Sequence, residues 1–189
     1  MRLVVASRNE HKLRELVALL PDHELIALPA DVTLPPETGD TFAENALTKA
    51  RASAAATGGP AIADDSGIEA TALGGRPGVR SARFAGEDAS DEDNLLKLLH
   101  DVPVDGDRRA AYVCALAYVG PAGEERLFEA RCEGALVAEP RGSGGFGYDP
   151  AFVPDETADE RTMAELDPAE KDAISHRGRA ARALAEWLA

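Results

Sequence analysis

Two adjacent carboxylates, Asp64 and Asp65, close the apolar run Ala61-Ile62-Ala63 and lead into Ser66-Gly67. A strand that ends in acids places them where sheet ligand sites usually open. Carboxylates so placed suit Mg²⁺, whose octahedral shell takes hard oxygen donors, and one of them can accept a proton from water. The same four residues also suit an Asx-type turn, so both readings stand. Glu44 likewise has two explanations. In T-x-x-E from Thr41 it can bond its own helix N-terminus, or it can point outwards as a metal ligand; alone, the residues favour the cap.

The segment Ser7-Arg8-Asn9-Glu10-His11-Lys12 is the second candidate. A strand feeding a helix exposes backbone N–H groups and the positive end of the helix dipole, a natural anion site. Ser7, Asn9 and Lys12 would add a hydroxyl, an amide and an ammonium. An ordinary capped helix with a solvated lysine accounts for the same residues. The P-loop pattern G-x-x-x-x-G-K-[ST] is absent.

Gly142 to Gly147 match G-x-G-x-x-G, but Tyr148-Asp149-Pro150 follow where a dinucleotide site needs a helix. Glycine density there either lets backbone approach a ligand or simply makes a flexible loop. Phe146 is available to stack on a flat ring. Lys171, His176, Arg177 and Arg179 cluster in a helical region, where cations are normally just solvated. Nothing marks Ser175 as an activated nucleophile. Cys114 and Cys132 lack CxxC spacing and a neighbouring His, and are expected half-buried on hairpin strands.

The elements that must carry these groups follow from pattern. Leu3 to Ala6 predict a buried strand, and Ser7 with Glu10 a capping box. Leu13, Leu16, Val17 and Leu20 recur at helical spacing up to Pro21, and a strand follows at about His23 to Leu28. Thr41 opens an alanine-rich helix that Gly58-Gly59 end, and Asp64 to Gly67 form a polar turn after the next strand. Ser90 with Asp93 caps a short helix. Arg109 to Val119 and Arg126 to Val137 flank Gly120-Pro121-Ala122-Gly123, a hairpin signal. Asp167-Pro168 start a final helical region whose apolar side is Leu184, Trp187 and Leu188. The class is α/β. No repeat or linker divides the chain, so residues 1–189 are expected to form one domain.

The 189 residues carry 20 basic and 34 acidic side chains, a net charge of −14. That balance disfavours nucleic acid and anionic membrane as partners. Two cysteines are too few for a disulfide-stapled secreted fold, no apolar run reaches the ~20 residues that span a bilayer, and the N-terminus turns polar at once. The cytoplasm is the expected compartment.

Together and in order, these segments resemble the inosine/xanthosine triphosphate pyrophosphatase family. The likeness rests on Ser7-x-Asn9-x-x-Lys12, T-F-A-E-N-A at Thr41 to Ala46, A-I-A-D-D-S-G at Ala61 to Gly67 and L-G-G-x-P-G-V-x-S-A-R-F at Leu73 to Phe84. G-G-F-G-Y-D-P at Gly144 to Pro150 and I-S-H-R-G at Ile174 to Gly178 complete it. Phe84 stands where many members carry Tyr. The resemblance implies an elongated mixed-sheet body with two lobes flanking a nucleotide-binding cleft, usually a homodimer. It implies Mg²⁺ held by Glu44 and Asp65, with Asp65 also the proton acceptor. Substrate-binding roles fall to Ser7, Arg8, Asn9, Glu10, His11, Lys12, Ser66, Phe146, Gly147, Tyr148, Asp149, Lys171, His176 and Arg177. The implied reaction converts noncanonical purine triphosphates (ITP, dITP, XTP) to the monophosphate and pyrophosphate. A nucleotide-sensing protein without chemistry, or a pyrophosphatase for modified pyrimidine nucleotides, would use a similar site.

Overall fold

The structure, a computed structural model, describes residues 1–189. In chain order the elements are β1 (Arg2–Val5), α1 (Glu10–Leu19), β2 (Glu24–Ala27), α2 (Phe42–Thr57), β3 (Ala61–Ala70), α3 (Asp91–Asp101), β4 (Arg109–Val119), β5 (Glu125–Leu136), β6 (Phe152–Pro154), α4 (Pro168–Ile174) and α5 (His176–Leu188). One six-stranded sheet runs β2-β1-β3-β4-β5-β6. β1 is parallel to β2, with Leu3 opposite Leu25, and parallel to β3, with Val5 opposite Ile62. β6 is antiparallel to β5, with Leu136 opposite Phe152. The α/β expectation holds as a mixed sheet. No helix is long and apolar enough to cross a membrane.

The chain forms two compact units, each assembled from separated stretches. The first comprises Met1–Asp65, Cys114–Ala130 and Arg177–Ala189; the second comprises Ser66–Val113 and Arg131–His176. The divisions fall inside β3, β4 and β5 and at the α4–α5 junction. No linker marks them, which is why composition shows a single span.

In the first unit Leu3, Val5, Leu16, Leu20, Ile62, Leu116 and Leu184 form one apolar core. β1 is apolar on both faces because it is an inner parallel strand. α1 buries Leu16, while Val17, expected on the apolar side, is 49% exposed. Its cap is Asn9, whose side chain accepts from the His11 and Lys12 amides. Ser7 instead accepts from Asn9 N at 3.1 Å, so the sequence-predicted cap lies two residues upstream of the real one. The Thr41–Glu44 capping box and the left-handed Gly58 cap are both present on α2.

In the second unit Ile68, Leu95, Leu98, Tyr112, Leu136, Tyr148, Phe152 and Met163 form the core. Ser90 and Asp93 make the box that starts α3, and Asp167 caps α4 with Glu170. The final helical region is two helices, because Ser175 is extended (φ −64°, ψ 154°). Both cysteines are fully buried rather than half-buried.

The sequence also misplaces the end of β3, which runs on through Asp64-Asp65-Ser66-Gly67 to Ala70. Carboxylates can stay inside a strand when cations meet them there, which removes the need for a solvated turn. Glycine is required at 67, since a Cβ would come within 2.3 Å of Ser81 Oγ and 2.6 Å of Gly78 O.

Candidate functional site

In the first unit a buried charge cluster surrounds the two aspartates. Arg177, 2% exposed, donates from Nε and Nη2 to Asp64 Oδ2 at 3.1 and 2.9 Å, and from Nη1 to Glu15 at 2.5 Å. Lys12 Nζ lies 3.2 Å from Asp64 Oδ2. Burial alone would push the Asp64 carboxyl up, but Lys12, Arg177 and Lys49 hold it far below the usual carboxylate range. Asp64 is therefore a fixed anion that organises cations.

Asp65 is placed differently. It accepts from Asn45 Nδ2 at 3.0 Å and lies 3.5 Å from Lys49 Nζ. Burial lifts its pKa above the ordinary value; Lys49 opposes this, Glu37 reinforces it, and Lys12 and Asn45 offset it only in part. Lys49 also donates to Asp64 O at 2.8 Å and pairs with Glu37. Burial works against the Lys49 charge, yet Asp65, Asp64 and Glu37 outweigh it and raise its pKa.

The remaining first-unit candidates separate into two groups. Asn9 turns its oxygen to the α1 amides, and Lys12 sits in the first turn, so these two and Ser7 do gather at that helix N-terminus. Arg8 is engaged elsewhere, donating to the carbonyls of Leu28, Pro29 and Val32 at 2.7–2.8 Å and so holding the chain after β2. His11 pairs with Arg14 at 2.9 Å, and Glu10 is exposed on the first turn of α1. Glu44 Oε2 accepts from Asp40 N at 2.9 Å and Thr41 N at 3.2 Å, so it caps α2. Its neighbour Asn45 carries that first turn to Asp65.

In the second unit, the glycine loop and α4 build a separate buried network. Asp149, 3% exposed, accepts from Lys171 Nζ at 2.7 Å and Phe146 N at 2.8 Å through Oδ2, and from Tyr112 Oη at 3.0 Å through Oδ1. Lys171 Nζ also lies 5.1 Å over the Phe146 ring. Tyr148 donates to Ser81 O at 2.6 Å, and Gly147 N donates to Asp91 Oδ2 at 3.0 Å, pinning the loop. Gly145 has φ +68°, and a Cβ there would meet Asp149 Oδ2 at 2.0 Å. His176 is buried and stacks on Tyr112 with centroids 4.6 Å apart. Ser66 is half-buried in β3.

Glu15, Glu37, Asn45, Lys49 and Tyr112 carry no signal that sequence pattern alone picks out as functional. Lys49 comes nearest to one, since it follows Asn45 by four residues and so shares its face of α2. Glu37 sits in a proline-rich connection that carries no pattern. Tyr112 looks like any strand aromatic.

The Ham1 family model matches residues 3–187. A dITP/XTP pyrophosphatase of Frankia alni is 54% identical over 200 residues, covering 100% of this chain and 97% of that protein. One from Mycobacterium tuberculosis is 52% identical over 189 residues, covering 95% and 91%. The solved structure of a HAM1 protein from Coxiella burnetii superposes with a TM-score of 0.90 at 42% identity, covering 100% of this chain and 98% of that one.

Proposed function

The chain belongs to the Ham1 family, and we propose that it hydrolyses ITP, dITP and XTP to the nucleoside monophosphate and pyrophosphate. The observation that carries the reading is the Asp64–Asp65 pair among Lys12, Lys49 and Arg177: one carboxylate pinned by cations, its neighbour left with a raised pKa.

Asp65 takes the role of proton acceptor for the attacking water, because a raised carboxyl pKa makes a better base than an ordinary one. Lys12 and the α1 N-terminus take the role of gripping the triphosphate, with Ser7 beside them. A net charge of −14 repels that substrate at long range, but at ~0.15 M salt the Debye length is only ~8 Å. Local donors then decide binding.

The donor set suits Mg²⁺. Such an ion keeps several waters and takes phosphate oxygens alongside few protein ligands. Asp65 and Glu44 would be its protein ligands, since Asn45 brings the first turn of α2 to Asp65. When bound, the ion polarises phosphate oxygen and offsets developing charge.

Phe146 would stack on the purine, and Lys171 and His176 would donate towards its position 6. Adenine presents an amino group there and would set donor against donor, a mismatch that can discriminate by ~10⁴. A cytoplasmic homodimer completes the proposal. The test incubates purified protein with ITP or ATP, with Mg²⁺ or with EDTA, and reads pyrophosphate. Release from ITP that is Mg²⁺-dependent and far faster than from ATP is expected. Equal rates would sink the substrate assignment, and full activity in EDTA the metal.

A further inference from the structure

Tyr112, on β4 and 6% exposed, touches both parts of the second unit's network. Its ring lies parallel to the His176 imidazole, 3° apart in plane, and meets the Phe152 ring edge-on at 4.9 Å. Its hydroxyl donates to Asp149 Oδ1. The other Asp149 oxygen already accepts from Lys171 and from the Phe146 amide. With three donors converging on it inside the protein, Asp149 serves to aim the Lys171 ammonium and the Phe146 loop rather than to meet a base itself. Phenylalanine at 112 would pack against Phe152 and stack on His176 equally well. The hydroxyl adds something packing does not need: it fixes the plane of the carboxylate that holds Lys171.

Resting on the function proposed above, we propose that Tyr112 is a specificity-determining positioning residue. It touches no substrate. Through its ring it sets the plane of His176, and through its hydroxyl it sets Asp149 and so Lys171. The two donors assigned to the purine 6-oxo group are thereby held in one arrangement. A loosened arrangement loses part of its grip on a 6-oxo group and leaves a 6-amino group bound as before, so the loss falls on discrimination rather than on hydrolysis.

The test compares wild type with Tyr112→Phe by calorimetric binding of IMP and AMP, and by steady-state hydrolysis of ITP and ATP. Tyr112→Phe should weaken IMP about tenfold, the worth of one hydrogen bond to a buried charge, and leave AMP unchanged. KM for ITP should rise by a similar factor, with kcat held within about twofold. In a double-mutant cycle, adding Tyr112→Phe to Asp149→Asn should cost no further IMP affinity. Wild-type IMP affinity in Tyr112→Phe, or IMP and AMP weakened alike, would overturn the assignment, as would a wild type that binds IMP and AMP equally. A wild type that prefers IMP yet releases no pyrophosphate from ITP overturns the proposed hydrolysis instead, and the IMP:AMP ratio of the variant still decides Tyr112.

Discussion

Asp64 and Asp65 are consecutive in β3, yet they stand in opposite electrostatic conditions. Asp64 accepts two hydrogen bonds from Arg177 and pairs with Lys12, and its carboxyl is held far below the usual range. Asp65, one residue on, is raised by burial and by Glu37. Alternation along a strand turns the two side chains to opposite faces, which is how one dipeptide serves two environments.

Replacing each with Asn should therefore give different failures. Asp65→Asn removes the proposed proton acceptor and should lower kcat for ITP by about 10²–10⁴-fold with the fold kept. Asp64→Asn leaves Arg177 buried with its main counter-charge gone, a loss of about 3–5 kcal/mol. For a chain of this size that lowers the melting temperature by on the order of 10 °C. Paired activity assays and thermal melts check both; a stable, active Asp64→Asn would show that the pair is not a structural anchor.

Gly145→Ala tests the loop. The position combines φ +68° with a Cβ path blocked at 2.0 Å by Asp149. The variant must displace the carboxylate that holds Lys171, so the preference for ITP over ATP should fall at least tenfold. Gly123→Ala, at φ +82° in the β4–β5 turn with nothing within 4 Å, isolates the conformational cost of about 1 kcal/mol. It should melt slightly earlier and keep full selectivity.

Cys114 should be chemically silent in the native protein. It is fully buried, and burial, with Asp64 nearby, pushes its thiol up to about 12. Since the thiolate is the nucleophile, alkylation at pH 8 should be at least a hundredfold slower than after unfolding. Peptide mass spectrometry after timed iodoacetamide exposure reads this, and rapid native labelling at Cys114 would contradict the burial.

Local features of the fold are legible in residue spacing. The Thr41–Glu44 and Ser90–Asp93 boxes, the hairpin around Gly120 to Gly123 and the Asp167-Pro168 start all rest on bonds between near neighbours in the chain, which spacing encodes. The extent of β3 is not legible, because Asp64 and Asp65 stay in the strand only through Arg177, more than a hundred residues away, and through lysines on two helices. Ser7 and Asn9 are both acceptable caps, and only the backbone path decides between them. Tyr112 needs the third dimension outright: its partners Asp149, Phe152 and His176 lie on other elements.

Glu170 should give the acid limb of stability a recognisable signature. Arg161 clamps it with two 2.8 Å hydrogen bonds, and the Asp167 amide adds one at 2.9 Å. The Arg161 bonds first, and the Asp167 amide second, lower its pKa from 4.5 to about 2. A carboxyl depressed on folding contributes stability that is complete above the unfolded value and lost as pH falls towards the folded one. Between pH 4.5 and 2 the wild type should therefore lose this contribution. Glu170→Gln has no such charge to lose. Its melting temperature should lie below wild type at pH 7, and the gap should close steadily on acidification across that window. A gap that persists unchanged at pH 3 would mean that the clamp acts through neutral hydrogen bonds and packing. A gap that widens would mean that folding raises the Glu170 pKa instead of lowering it.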